Sequence, residues 1–139
     1  MVALAEHDGL VGDLGMNNFY LYQYGGARRF VFIPWDKDSC LASATHPILS
    51  RVETNVLTRK LLADPALRQT YVDAVRRAVS SFVNTRFLLP RLESAYAQIR
   101  EAATSDPRKP YSALEFEQAV GGLRQIIGAR EADVLSQTR

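Results

Sequence analysis

The sequence has little cysteine: Cys40 stands alone among 139 residues, which excludes an internal disulfide framework. That leaves the compartment open, since a chain without disulfides can work on either side of a membrane. No run approaches 18 consecutive apolar residues, so no membrane-spanning helix is expected. The opening Met1-Val-Ala-Leu-Ala has no basic start and is cut short by Glu6, His7 and Asp8, unlike a secretory signal. Charge of one sign is also lacking. Lys and Arg number 17 against 15 Asp and Glu, and no basic run occurs, which argues against a nucleic-acid partner. Internal repeats and low-complexity tracts are absent. The opening apolar run meets Asp8 with no leading cap, as if an element had begun upstream. The chain is therefore expected to be the C-terminal part of something larger.

What is present is globular: 47% hydrophobic and 23% charged residues, enough for one domain over 1–139. The composition changes near Asp38, from aromatic and strand-like to helical. Residues 1–45 are expected to hold loops and a hairpin, and 46–139 to be helical. The expected fold class is α+β, mainly α, with one short hairpin followed by about four helices. Aromatic and β-branched runs at 19–24 and 29–33 flank Gly25-Gly26-Ala27-Arg28 and read as the hairpin. Pro34 should end its second strand. Apolar residues on both faces of that strand predict cover on both sides.

Thr45-His46-Pro47 reads as a helix start, with Ile48, Val52, Val56, Leu57 and Leu61 at helical spacing. Asp64-Pro65 opens a second helix, with Leu67, Tyr71, Ala74, Val75, Ala78 and Val79 on one face. Asn84 or Thr85 starts a third, and Pro90 predicts a capping turn over 85–89 before a main helix over 90–104. Leu92, Tyr96, Ile99 and Ala103 form its apolar face. Ser112, with Glu115 three residues on, caps the fourth as a capping box. Gly121-Gly122 inside that helix predicts close packing or a kink.

The chemistry-bearing residues lie early: Asp8, Asn17-Asn18, the hairpin, then Asp36 and Asp38. Phosphoryl transfer of the protein-kinase type uses a carboxylate on the acceptor hydroxyl, then an Asn and a second Asp on the metals. The order Asp, Asn, hairpin, Asp is the order such a site requires. The spacing departs from it, with ten positions from Asp8 to Asn18 against about five. Plainer readings stand beside this one. Asp36 and Asp38 also suit a turn, Asp8 a helix cap, and Asn17-Asn18 a strand entry. Asp36-x-Asp38 alone would be a thin basis for a metal-dependent hydrolase.

Asn18-Phe-Tyr-Leu-Tyr22, then Arg29-Phe-Val-Phe-Ile-Pro-Trp-Asp-Lys-Asp38, strongly resembles the spore coat protein H (CotH) kinase family. The segment Leu61-Leu62-Ala-Asp-Pro-Ala-Leu-Arg68, the following Tyr71 and the late Arg130 are similar too. The resemblance runs from about residue 5 to the end. It implies the C-terminal lobe of an atypical protein-kinase-like fold. It also implies ATP as donor, Mg²⁺ or Mn²⁺, and transfer to Ser or Thr of a secreted or coat-type protein substrate. A cell-surface, spore-coat or secreted setting follows from the same resemblance. Asp8 then corresponds to the catalytic Asp, Asn18 and Asp36 to the nucleotide-metal ligands, and Asp38 to a further acidic ligand. The long loop keeps Asp13 and Asn17 as candidates. No Gly-rich phosphate loop or upstream strand Lys is found in this chain. An N-terminal lobe or partner chain is expected to supply them. The alternative is a non-catalytic helical interaction module without the ATP-binding lobe.

The remaining polar residues have ordinary readings. His7 and His46 lack a metal-ligand partner at a sensible sequence spacing, and His46 reads as a helix-start residue. Cys40 reads as a small packing residue, Trp35 as core beside the site, and Tyr20, Tyr22 and Tyr24 as one strand face. Arg28-Arg29 and Arg76-Arg77 read as solvated charges.

Overall fold

A computed structural model describes residues 2–14, 17–26 and 29–139. A single 3-10 turn over Val2–Leu4 leads into a long loop. Two antiparallel strands follow, β1 (Phe19–Gln23) and β2 (Phe30–Pro34), and then four helices: α1 (Val56–Leu62), α2 (Pro65–Ser81), α3 (Thr85–Ser105) and α4 (Ala113–Gln137). The mainly α arrangement of one hairpin and four helices agrees with the sequence reading. The register pairs Phe19 with Pro34 and Gln23 with Phe30, so Pro34 is the last strand residue. Gly26, at φ 77°, takes the left-handed turn that a side chain would resist. Ala27 and Arg28 of the expected turn lie outside the described residues.

Cover on both faces of β2 is not observed. Phe30, Val31 and Ile33 are exposed, as are Tyr20, Leu21 and Tyr22 on β1. The buried core lies elsewhere. Ala3, Ile48, Val75, Val79, Val83 and Val134 form it, drawn from the first turn, the segment before α1, α2 and α4. On α2, Val75 and Val79 are buried and Tyr71 and Ala78 pack at the margin, whereas Leu67 is exposed.

The helix expected from Thr45 begins ten residues later. Residues 45–54 form successive turns, with Ser50 N–H donating to Pro47 O and Thr54 N–H to Arg51 O. Arg51 has φ 51°, which breaks any α-helical run there. The cap is Asn55, whose side-chain oxygen accepts from Leu57 N–H and Thr58 N–H. Asp64 caps α2 with Pro65 in its first turn, as expected. Asn84 caps α3 and also donates to Val79 O and Ser80 O, so one amide joins the end of α2 to the start of α3. Pro90 does not divide α3: the helix runs unbroken through it. Pro90 is the sixth helical residue, so the helix continues at the cost of the one N–H bond that this position would make to Arg86 O.

The capping box at Ser112 and Glu115 is present. Close packing at Gly121-Gly122 is not: a Cβ at either position would meet open space, and α4 continues to Gln137. α3 and α4 pack antiparallel through a Tyr96–Phe116 stack, the Tyr96 hydroxyl on Glu117, and Arg124 bidentate on Glu93. Arg76 is not a free charge, since it donates to Thr138 O at the end of α4.

One side chain organises the molecule. Arg130 is fully buried on α4, between Ile127 and Val134. Its guanidinium donates to the carbonyls of Val2, Ala3, Ala44 and His46 and pairs with Asp133 at 3.1 Å. It therefore fixes the first turn and the segment before α1 onto α4. Beside it, the Tyr71 hydroxyl donates to Ile48 O, and burial pushes its pKa up to about 12.

Candidate functional site

Two loops meet at the open end of the hairpin. The first runs from Ala5 to Asn18 and enters β1. The second, from Trp35, leaves β2. Trp35 N–H donates to Asn18 O at 3.1 Å, extending the ladder one pair beyond the strands. This brings Asn18 and Asp36 to the same end of the sheet. Both have left-handed backbones, φ 54° at Asn18 and 49° at Asp36, an unfavourable conformation held by its surroundings.

Asn18 Nδ2 donates to Asp8 Oδ2 at 2.6 Å, and both side chains are buried. Asp8 Oδ1 is buried without a hydrogen-bond partner among the described residues. A buried, unpaired carboxylate oxygen is costly, so such a group points to an absent ligand or proton donor. Asn17 is exposed, and its N–H donates to Gly9 O. Asp36 is exposed and reaches Asn18 through the neighbouring backbone rather than a side-chain bond. Asp38 is exposed too, and its carboxylate accepts from Ser39 Oγ at 3.5 Å.

A part-buried ion pair, not legible in the sequence, ties the loops together. Glu6, two residues before Asp8, pairs with Lys37, the residue after Asp36. Glu6 is 1% exposed, and its second oxygen has no hydrogen-bond partner among the described residues. Gly9 sits against that carboxylate, and Gly12 against the carbonyl of His7; a Cβ at either position would clash. The glycines are thus required by close approach within the loop. Leu41 N–H donating to Leu4 O at 2.7 Å and His7 N–H to Ser39 O complete the connection. Cys40 lies half-buried beside this pair. Desolvation, then the Glu6 charge, pushes its thiol pKa up, which suits an inert packing residue.

Trp35 is half-exposed and stacks on Tyr20 at 6.1 Å, so it is not core. Asp13 does not join Asn18. It lies between two histidines, 3.7 Å from His7 Nδ1 and 3.8 Å from His46 Nδ1. The two imidazoles stack at 4.5 Å. Sequence spacing offers these histidines no ligand partner, but the structure places Asp13 beside both. The three residues are distant in sequence, and the loop fold brings them together. A hydrogen bond from Ser50, and then the histidines, hold the Asp13 carboxyl below its ordinary pKa. Burial, then His7, lowers that of His46.

Carboxylate and amide oxygens at Asn18, Asp36 and Asp38 are hard donors of the kind Mg²⁺ or Mn²⁺ accepts. No helix of the chain, among the described residues, is long and apolar enough to cross a membrane. No solved structure matches the chain. A similar protein is the inner spore coat protein H of Bacillus subtilis (strain 168), 24% identical over 124 residues. That alignment covers 85% of this chain and 33% of the relative, so the chain spans about a third of that protein's length. Residues 3–134 match the family described as CotH kinase protein, a span that takes in both loops, the hairpin and the Arg130 clamp. The chain belongs to the CotH kinase protein family.

Proposed function

We propose that this chain carries the catalytic-loop and metal-loop half of a CotH-type protein kinase, transferring phosphate from ATP to a Ser or Thr hydroxyl of a protein. The observation that carries this reading is the buried Asp8–Asn18 hydrogen bond, with Asn18 bonded through its backbone to the residue before Asp36. Family membership supports it.

Asp8 is the group to orient the acceptor hydroxyl and take its proton, because its Oδ1 is uncommitted while Oδ2 is fixed by Asn18. Asn18 positions that carboxylate through Nδ2, which leaves its amide oxygen as the side-chain ligand atom. Asp36 and Asn18 would hold the divalent cation, with Asp38 as a further acidic group nearby. The cation, when bound with ATP, neutralises phosphate charge. The Glu6–Lys37 pair keeps the Asp8 loop and the Asp36 loop in mutual register. Positioning of this kind is most of what phosphoryl transfer asks of a protein. The phosphate-cradling groups would come from an N-terminal lobe or a partner chain. The name of the Bacillus relative supports a spore-coat setting.

Calorimetric titration of Mn²⁺-ATP into the chain tests the reading. The parent is expected to bind. Asp36→Ala should weaken binding at least about tenfold, equal to about 1.4 kcal/mol. Asp8→Asn should retain binding, and should lose phosphate transfer to a Ser-containing peptide once the phosphate-cradling lobe or partner is supplied. Identical titrations for the parent and Asp36→Ala would overturn it.

A further inference from the structure

We propose that His7, Asp13 and His46 form a second cation site, made of other residues than Asn18, Asp36 and Asp38, that takes a divalent transition ion of the zinc type. The proposal does not rest on the kinase reading. Three donor atoms from three separate places converge: His7 before Asp8, Asp13 further along that loop, and His46 in the turns before α1. One donor atom from each lies within 4.8 Å of the others.

The spacing is informative. Asp13 Oδ2 lies 3.7 Å and 3.8 Å from the two Nδ1 atoms, too far for a hydrogen bond to either. Metal–nitrogen and metal–oxygen bonds of about 2.0–2.2 Å in a tetrahedron put neighbouring ligand atoms roughly 3.3–3.5 Å apart. Asp13 Oδ2 is therefore within a few tenths of an ångström of ligand spacing from each imidazole nitrogen. Without an ion, Asp13 Oδ2 lies between the two imidazole nitrogens with no hydrogen bond to either. Two imidazoles and one carboxylate make a three-ligand set with an open fourth position. That donor set favours a transition ion over Mg²⁺.

The ligands are also braced, as metal ligands usually are. Asp13 Oδ1 accepts from Ser50 Oγ, and the Asp13 carbonyl accepts from Arg51. The His46 carbonyl accepts from Arg130 at 2.7 Å, which fixes that residue's backbone. The side chains of His7 and Asp13 are 30% and 44% exposed, so an ion could enter from solvent. A bound ion would clamp the loop that carries Asp8 to the segment leading into α1. The nearby Arg51 and Arg130 charges oppose a cation, so this is a moderate-affinity clamp.

The test uses the full chain with Zn²⁺ in calorimetry and Co²⁺ as a spectroscopic probe. One equivalent of Zn²⁺ should bind saturably, and Co²⁺ should give the visible absorption of a low-coordinate, nitrogen-ligated ion. His7→Gln, Asp13→Asn and His46→Gln should each weaken Zn²⁺ binding at least about tenfold, since even outer-shell changes cost about 10–100-fold. Asp36→Ala should leave it unchanged. No saturable Zn²⁺ binding by the parent would overturn the proposal. So would binding that survives His7→Gln and Asp13→Asn but disappears in Asp36→Ala, which would assign the ion to the other loops. The Co²⁺ spectrum of the parent reads the ligand set without any substitution, so a variant that misfolds does not remove the test. A spectrum of oxygen ligation alone would also overturn it.

Discussion

The first 55 residues and the α3–α4 pair are built on opposite principles. Every non-glycine residue with positive φ among those described lies in the first region: Ala5, Asn18, Asp36, Leu41 and Arg51. The helices contain none. Conversely, α3 has clean signals at both ends and no fully buried residue. Regular helices form from local rules and need only one-sided packing. The loop region has few local preferences, and each strained residue costs about 1–3 kcal/mol. It must therefore be held from outside, and α4 does this through Arg130. The site's geometry thus depends on a side chain far along the chain that touches none of the candidate catalytic groups.

The strongest way to break this comparison is Arg130→Met. It keeps the length and apolar stem but leaves the carbonyls of Val2, Ala3, Ala44 and His46 without their donor. Removing one partner from such a buried charged network costs about 3–5 kcal/mol. Thermal unfolding should show that loss. Hydrogen exchange should open residues 2–14 and 44–48 before α3 and α4.

Asn55→Ala comes next. It removes the α1 cap and the bond from Nδ2 to Leu10 O, so the loop and the helix start loosen together. The expected cost is about 1–2 kcal/mol in denaturant unfolding. Gly121→Ala and Gly122→Ala act in the opposite direction. Open space at both Cβ positions predicts stabilisation of about 0.5–1 kcal/mol each. A loss instead would mean that some partner does approach α4 closely there.

The same contrast explains what could be read from the chain. The caps at Asp64, Asn84 and Ser112 were legible because each is a local signal with a side chain two or three residues from its target. The hairpin and the order of Asp8, Asn18 and Asp36 were legible for a related reason: strand alternation and motif order are one-dimensional. The helix start at 45 was misplaced because apolar spacing at Ile48 and Val52 marks burial, not helix. Those residues are buried in turns held by Arg130 and by Gln137, which accepts from Ile48 N–H. The histidine–aspartate cluster and the Glu6–Lys37 pair were invisible because their partners lie 31 or more positions apart or depend on loop folding. Only Arg130 left a trace, as a charge at the core-facing spacing of Ile127 and Val134.

The smallest expected effect sharpens the comparison most. Arg124 makes a bidentate pair with Glu93, at 2.7 and 2.9 Å, with better geometry than the Arg130–Asp133 pair. Yet Arg124→Ala should leave the thermal midpoint almost unchanged at physiological salt. Both partners are solvent-exposed, so water and ions screen the attraction, and holding two long side chains offsets what remains. The Arg124 hydrogen bond lowers the Glu93 pKa below 4.5. Any stabilisation from the pair is therefore present above about pH 4.5 and fades as Glu93 protonates below it. Unfolding of the parent and Arg124→Ala at pH 7, in low and high salt, reads this directly. A small difference that closes with salt is the expected result. A large, salt-insensitive loss would mean that α3 and α4 are held by this pair rather than by Tyr96 and Phe116. The distinction between a locally built helical hairpin and an externally clamped site loop would then fail.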